Sequence, residues 1–156
     1  MDYWTLIGKI RDAVKSASGI TSWCTTNYGQ QHKVYIGYDE KNLPDQDDYP
    51  IIVISPTGQH AALDDYGEFG VEIGYGLVDA AEGTSGNVIT YQGVQNLLEF
   101  RKTVETVLFD ADTDLGGSWV AELDELIEPV ELFPVFVSLV LYTFKNPDRD
   151  DPIIQR

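Results

Sequence analysis

The chain has 156 residues, with 10 Lys+Arg against 26 Asp+Glu, and a formal net charge of −16 at pH 7. Its length suits one domain, and 43% hydrophobic with 12% aromatic residues is enough for a core and too much for a disordered acidic tail. A chain this acidic does not hold DNA by neutralising phosphates, because each such contact needs a cation, and anionic membrane surfaces repel it.

No apolar run approaches the ~20 residues of a membrane span. The opening MDYWTLIGKIRDAV lacks the basic-then-apolar order of a secretion signal. The single cysteine, Cys24, allows neither an internal disulfide nor a cysteine-based zinc cluster. The expectation is a soluble protein kept inside the cell that makes it.

In chain order, Tyr3, Leu6, Ile7, Ile10, Val14 and Ala17 recur at helical spacing, opposite Thr5, Lys9, Asp12 and Ser16. This predicts a helix over 3–17, with Gly19 as its stop. Residues 20–32 show no period and read as loop. KVYIGY, residues 33–38, is short and rich in β-formers, a strand. Residues 39–50 (DEKNLPDQDDYP) hold five acids, one lysine and two prolines, a mixture that reads as an exposed loop. Ile51–Ser55 is continuously apolar, a strand covered on both faces. Residues 56–66 read as loop.

Phe69, Val71, Ile73, Tyr75 and Leu77 alternate with Glu68, Gly70, Glu72, Gly74 and Gly76, the period of a strand with one buried face. The glycines strip its other face, so Gly70, Gly74 and Gly76 are candidate contacts for a neighbouring subunit. Residues 79–90 read as loop. In 91–109, Leu97, Phe100, Arg101, Val104, Val107 and Leu108 share one side of a helix, with an Arg101–Glu105 pair at i,i+4. Alternation over 119–128 marks a fourth strand. The apolar run 130–144 marks a fifth, with Pro134 confining its first half to an edge or a bulge. The result is an α+β fold in the order α–β–β–β–α–β–β, with a mainly antiparallel sheet of about five strands and two amphipathic helices on one face. Residues 1–144 form the domain, and 145–156 form a polar tail to be ordered by a neighbouring subunit.

Few constellations suggest chemistry. Asp110, Asp112 and Asp114 resemble the start of a calcium loop, but the required Gly and Glu positions hold Leu115 and Ala121. His60 with Asp64 or Asp65 and Ser55 lacks a nucleophile-elbow motif. Cys24 has no basic neighbour to activate it and reads as a small buried hydrophobe. Gly83, Ser85 and Gly86 lack the lysine of a phosphate cradle and read as a turn. No catalytic residue, metal site or cofactor is expected.

The order of several segments carries more. They are the helix IGKIRDAVKSA, the strand VYIGY, the acidic loop DEKNLPDQDDYP entering PIIVIS, and the strand EFGVEIGYGLVD. The helix QNLLEFRKTVETVLF and a closing hairpin ending in VFVSLVLYTF follow. Over residues 3–144 this resembles the tail-terminator (tail-completion) proteins of long-tailed bacteriophages, a group that includes related neck proteins. The resemblance implies a structural virion protein without catalytic residues that closes into a homo-oligomeric ring, typically of six copies. Such a ring sits on the tail tube protein, stops tube growth and offers a docking surface to the head–tail connector. DNA then passes through its lumen without specific binding.

The charge fits a conduit that repels phosphate. Candidate lumen-facing acids are Asp39, Glu40, Asp45, Asp47 and Asp48, followed by Glu68 and Glu72. Ile153 and Ile154, near the end of the tail, join the glycines as candidate subunit contacts. The competing readings are a neck connector, an acidic inhibitor that mimics DNA, and a small enzyme or calcium protein built on His60 or Asp110–Asp114.

Overall fold

In a computed structural model of the chain, residues 3–37, 39, 41–42, 44–57, 68–110, 113, 115, 120–126 and 130–145 are described. Helix α1 spans Tyr3–Ser16 and buries Leu6, Ile7, Ile10 and Val14, the stripe its spacing predicts. A second helix, α2 (Ser18–Tyr28), stands where a loop is expected. The chain breaks at Ala17, with φ −67° and ψ 112°, and Gly19 lies inside α2. Serine, threonine and glycine give α2 poor intrinsic propensity, so packing holds it. Ile20 and Cys24 are fully buried and Trp23 stacks on Phe100 at 5.3 Å. Gly29 ends α2 in the left-handed region at φ 72°, its N–H bonded to the Thr25 carbonyl at 3.0 Å.

Strands β1 (Lys33–Ile36) and β2 (Ile51–Pro56) pair in parallel, and a short 3-10 turn (Gln46–Asp48) lies between them. Parallel neighbours need a crossover of a dozen or more residues, and residues 37–50 are that crossover. Strand β3 (Glu68–Val78) pairs antiparallel with β2 and, over its whole length, with β8 (Val135–Lys145). Strand β6 (Val120–Leu126) flanks β8 with a register shift between Leu123 and Glu125. The main sheet runs β1-β2-β3-β8-β6. The expected single strand 130–144 is instead a hairpin: β7 (Val130–Leu132) folds back on β8 with Phe133 and Pro134 as the turn. Pro134 interrupts the ladder by reversing the chain, not by sitting on an edge. Strands β4 (Glu82–Ser85) and β5 (Val88–Tyr91) form a separate hairpin within the expected loop 79–90. The architecture is α+β with a mainly antiparallel sheet, as expected, but with three helices and eight strands among the described residues.

Helix α3 (Gln92–Leu108) packs on the central strands β3 and β8, α1 packs on β1 and β2, and both α1 and α2 rest on α3. The alternate residues Phe69, Val71, Ile73, Tyr75 and Leu77 are all at most 1% exposed in the resulting core. Ile51–Ile54 are buried along the whole run, but only Ile52 and Ile54 join the core under the helices, so the expected coverage on both faces is not what buries Ile51 and Val53. Phe100 sits between Trp23 and Tyr75, with the latter edge-on at 6.3 Å. One polar chain crosses this layer. The Tyr75 and Tyr142 hydroxyls meet at 2.8 Å, Tyr142 donates to Glu105 Oε1 at 2.8 Å, and Arg101 Nε donates to the same oxygen at 2.7 Å. Burial pushes the Tyr75 phenol well above its ordinary range.

Gly93 lets α3 approach β8. A Cβ there would stand 2.2 Å from Cε2 of Phe136. Gly93→Ala gains ~1 kcal/mol of helix propensity but overpacks the contact by ~1–3 kcal/mol. The clash prevails, so the denaturation midpoint falls, and Phe136→Leu in the same chain restores most of it. Tyr142→Phe leaves the Tyr75 hydroxyl buried without its partner and costs ~1–3 kcal/mol in urea unfolding. Tyr75→Phe together with Tyr142→Phe costs less than the sum of the two single changes.

Candidate functional site: acidic loop and open sheet face

The crossover 37–50 is acidic and anchored. Lys33 pairs with Asp48 across its base. The Asp45 N–H donates to Asp48 Oδ2 at 3.0 Å, and Gln30 Nε2 donates to the Asp47 carbonyl at 3.3 Å. Asp39 accepts from Asn42 Nδ2 at 2.6 Å and from the Lys41 N–H at 2.9 Å, donors that hold its carboxyl below the usual range. Lys33 holds Asp48 low in the same way. Asp39, Asp45 and Asp47 are exposed, whereas Asp48 is half-buried and compensated by its lysine. Glu72 stands elsewhere, on β3 two strands in from the β1 edge, opposite Ser55. The described candidate acids therefore split between the loop and the sheet. Glu40 and the side chain of Glu68 lie outside the described residues.

The helices cover one face of the sheet. On the other, Gly74 and Gly76 form the floor of a cleft of about 250 Å³. Tyr49, Ile51, Val53, Val137 and Leu139 line it, with Ser55 and Glu72 as its polar margin. A Cβ on Gly76 would meet Ile51 Cγ1 and Tyr49 Cε1 at 2.8 Å, and one on Gly74 would meet Leu139 Cδ2 at 3.1 Å. Side chains of the chain itself thus lean over the glycines. Gly70 is buried, and its carbonyl accepts from the Tyr3 hydroxyl. Ile153 and Ile154 lie outside the described residues.

The β4–β5 hairpin escapes sequence reading because its strands have four residues each and no buried position. The signal is the Gly86–Asn87 pair between TS and VITY, a two-residue hairpin loop. Gly86, at φ 63°, supplies the positive φ that this turn needs, so the segment inspected as a phosphate cradle is a hairpin turn. The base of the hairpin is held by Asp79. Its carboxylate accepts from Tyr28 at 3.1 Å, Asn96 at 2.8 Å and the Ala81 N–H at 2.9 Å. The hairpin carries Val88, Ile89 and Tyr91 exposed at 57%, 59% and 39%, and Tyr91 meets the exposed ring of Phe133 at 5.3 Å.

Burial pushes the Cys24 thiol up to about 12, the behaviour of a small hydrophobe. His60, Asp64, Asp65, Asp112 and Asp114 lie outside the described residues. Among the described residues no group of three His, Cys, Asp or Glu is placed to hold a metal ion. No helix among them is long and apolar enough to cross a membrane. No protein-family model matches the chain, and no curated protein matches it.

His32 links β1 to α1. Its Nε2 lies 3.0 Å from the Val14 carbonyl, which assigns the proton to that nitrogen, and Nδ1 is buried without a partner. Burial lowers its pKa below 6.5, against the raising effect of the carbonyl. The unfolded chain therefore takes up this proton at a higher pH than the folded one. Stability falls as pH drops below 6.5 and levels off once folded His32 also titrates. Denaturation midpoints across this range show a shallower acid slope for His32→Gln than for the wild type.

Proposed function

We propose that this chain is a structural subunit of a ring at the head-proximal end of a phage tail tube, ending tube growth and presenting the head-docking surface. The supporting observation is the anchored acidic crossover. It projects exposed carboxylates from one edge of the sheet in a chain of net charge −16. Repeated around a ring, such loops form a wall that repels phosphate, so DNA slides past with no contact that acts as a brake. Salt limits the effect to about 8 Å, so the exposed Asp39, Asp45 and Asp47 matter and the lysine-paired Asp48 does not. The order of the segments on which the tail-terminator resemblance rests supports the same reading, with α2, the β4–β5 hairpin and β7 added to it.

The test is electron microscopy of tails assembled without the protein. Overlong tubes support a terminator. Tails of normal length left unattached to heads support a neck connector instead. Normal virions exclude both, and a salt-sensitive complex with one basic enzyme would favour a DNA mimic. In particles carrying Asp45→Lys with Asp47→Lys, tail length is unchanged and DNA release in vitro slows severalfold. An unchanged release rate removes these acids from the lumen.

A further inference from the structure

We propose that the β4–β5 hairpin of one copy docks in the apolar cleft on the open sheet face of a second copy. This deepens the ring reading and rests on it. Three observations converge.

The hairpin is two-stranded and exposed along both strands, and such a hairpin is marginal in water without cover. Its exposed Val88, Ile89 and Tyr91 continue into Phe133, an apolar patch with no cover from the described residues. Its base is nonetheless held firmly by Asp79, so it projects as a defined arm.

Charge narrows the choice of occupant. Two copies at −16 repel each other over most of their surface. Residues 83–98 contain no Asp, Glu, Lys or Arg, and among the described residues Glu72 is the only charged group lining the cleft. The hairpin tip and the cleft, which carry little charge, meet at the least electrostatic cost, which favours a second copy of this chain over a basic partner. An arm and a cleft on different parts of one chain form a heterologous contact, the kind that closes into a ring when the rotation allows.

The experiment uses the full chain. Wild type is sedimented at about 0.05 M and about 1 M NaCl, where the screening length shortens from about 14 Å to about 3 Å. The oligomer fraction is expected to rise with salt, because like charges are screened and apolar contacts are not. Ile89→Asp, at an exposed position, is expected to weaken association at least tenfold with an unchanged thermal midpoint. Ile89→Cys with Ser55→Cys is then oxidised. A ladder of disulfide-linked multimers is expected, and a linked dimer when the two single variants are mixed. No ladder from the double-cysteine chain, when the wild type sediments as a ring, overturns the hairpin–cleft pairing and leaves the ring standing. So does a disulfide closed within one chain. A wild type that stays monomeric at both salts and leaves tail length unaffected overturns both.

Discussion

Helix α3 is seated on the β3–β8 pair by three kinds of contact, and the remaining packing follows from that seating. At its start, Gly93 removes the side chain that would collide with Phe136. At its middle, Phe100 fills the space between Tyr75 on the sheet and Trp23 on α2. Near its end, Glu105 receives the Tyr142 hydroxyl and the Arg101 guanidinium. An apolar contact alone would let the helix slide or rotate among similar packings. A satisfied polar chain inside that contact penalises such shifts, because each would strand a buried hydroxyl. With α3 held, α1 and α2 have a surface to rest on, and Asp79 ties both α2 and α3 to the root of the hairpin.

The sheet is apolar on both faces, yet the described helices cover only one. Glycine reconciles these facts. At Gly74 and Gly76 the strand gives up side-chain packing and backbone restriction, at ~0.5–1 kcal/mol each relative to alanine. In return Tyr49, Ile51 and Leu139 lean into the vacated space, and Ile51 and Val53 keep only 4% and 8% of their exposure without any helix above them. The face is partly sealed by its own side chains, and what remains open is a small apolar cleft.

Elements whose burial is regular were legible in the residues. Helices α1 and α3 and strand β3 each bury one set of side chains at a fixed period, and the period names the element, whereas β2 was legible as a short continuous apolar run. Helix α2 was not legible, because Ile20, Trp23 and Cys24 make too short a stripe and its helicity depends on Phe100, far away in sequence. The β4–β5 hairpin buries nothing, so its only trace was the Gly86–Asn87 turn. The run 130–144 looked continuous because hydrophobicity does not record direction, and Pro134 was the mark of the reversal. For the site, the acidic loop was legible as an exposed segment. That Lys33 would neutralise Asp48, and that Glu72 would stand apart on the sheet, depends on the parallel pairing of β1 with β2 and on the register of β3.

An acidic chain that assembles with itself must keep its charge and its contacts on different parts of its surface. The parallel β1–β2 pair helps to do so. It forces a long crossover at one edge of the sheet, and the sequence places five of its acids there. The uncharged stretch 83–98 instead begins in the hairpin and runs into α3, which packs on the central strands β3 and β8. Because Coulomb repulsion decays over about 8 Å at physiological salt while apolar burial needs direct contact, a separation of this kind lets neighbouring copies touch without bringing their carboxylates together. The same charge can then act toward an opening without opposing the contact that surrounds it.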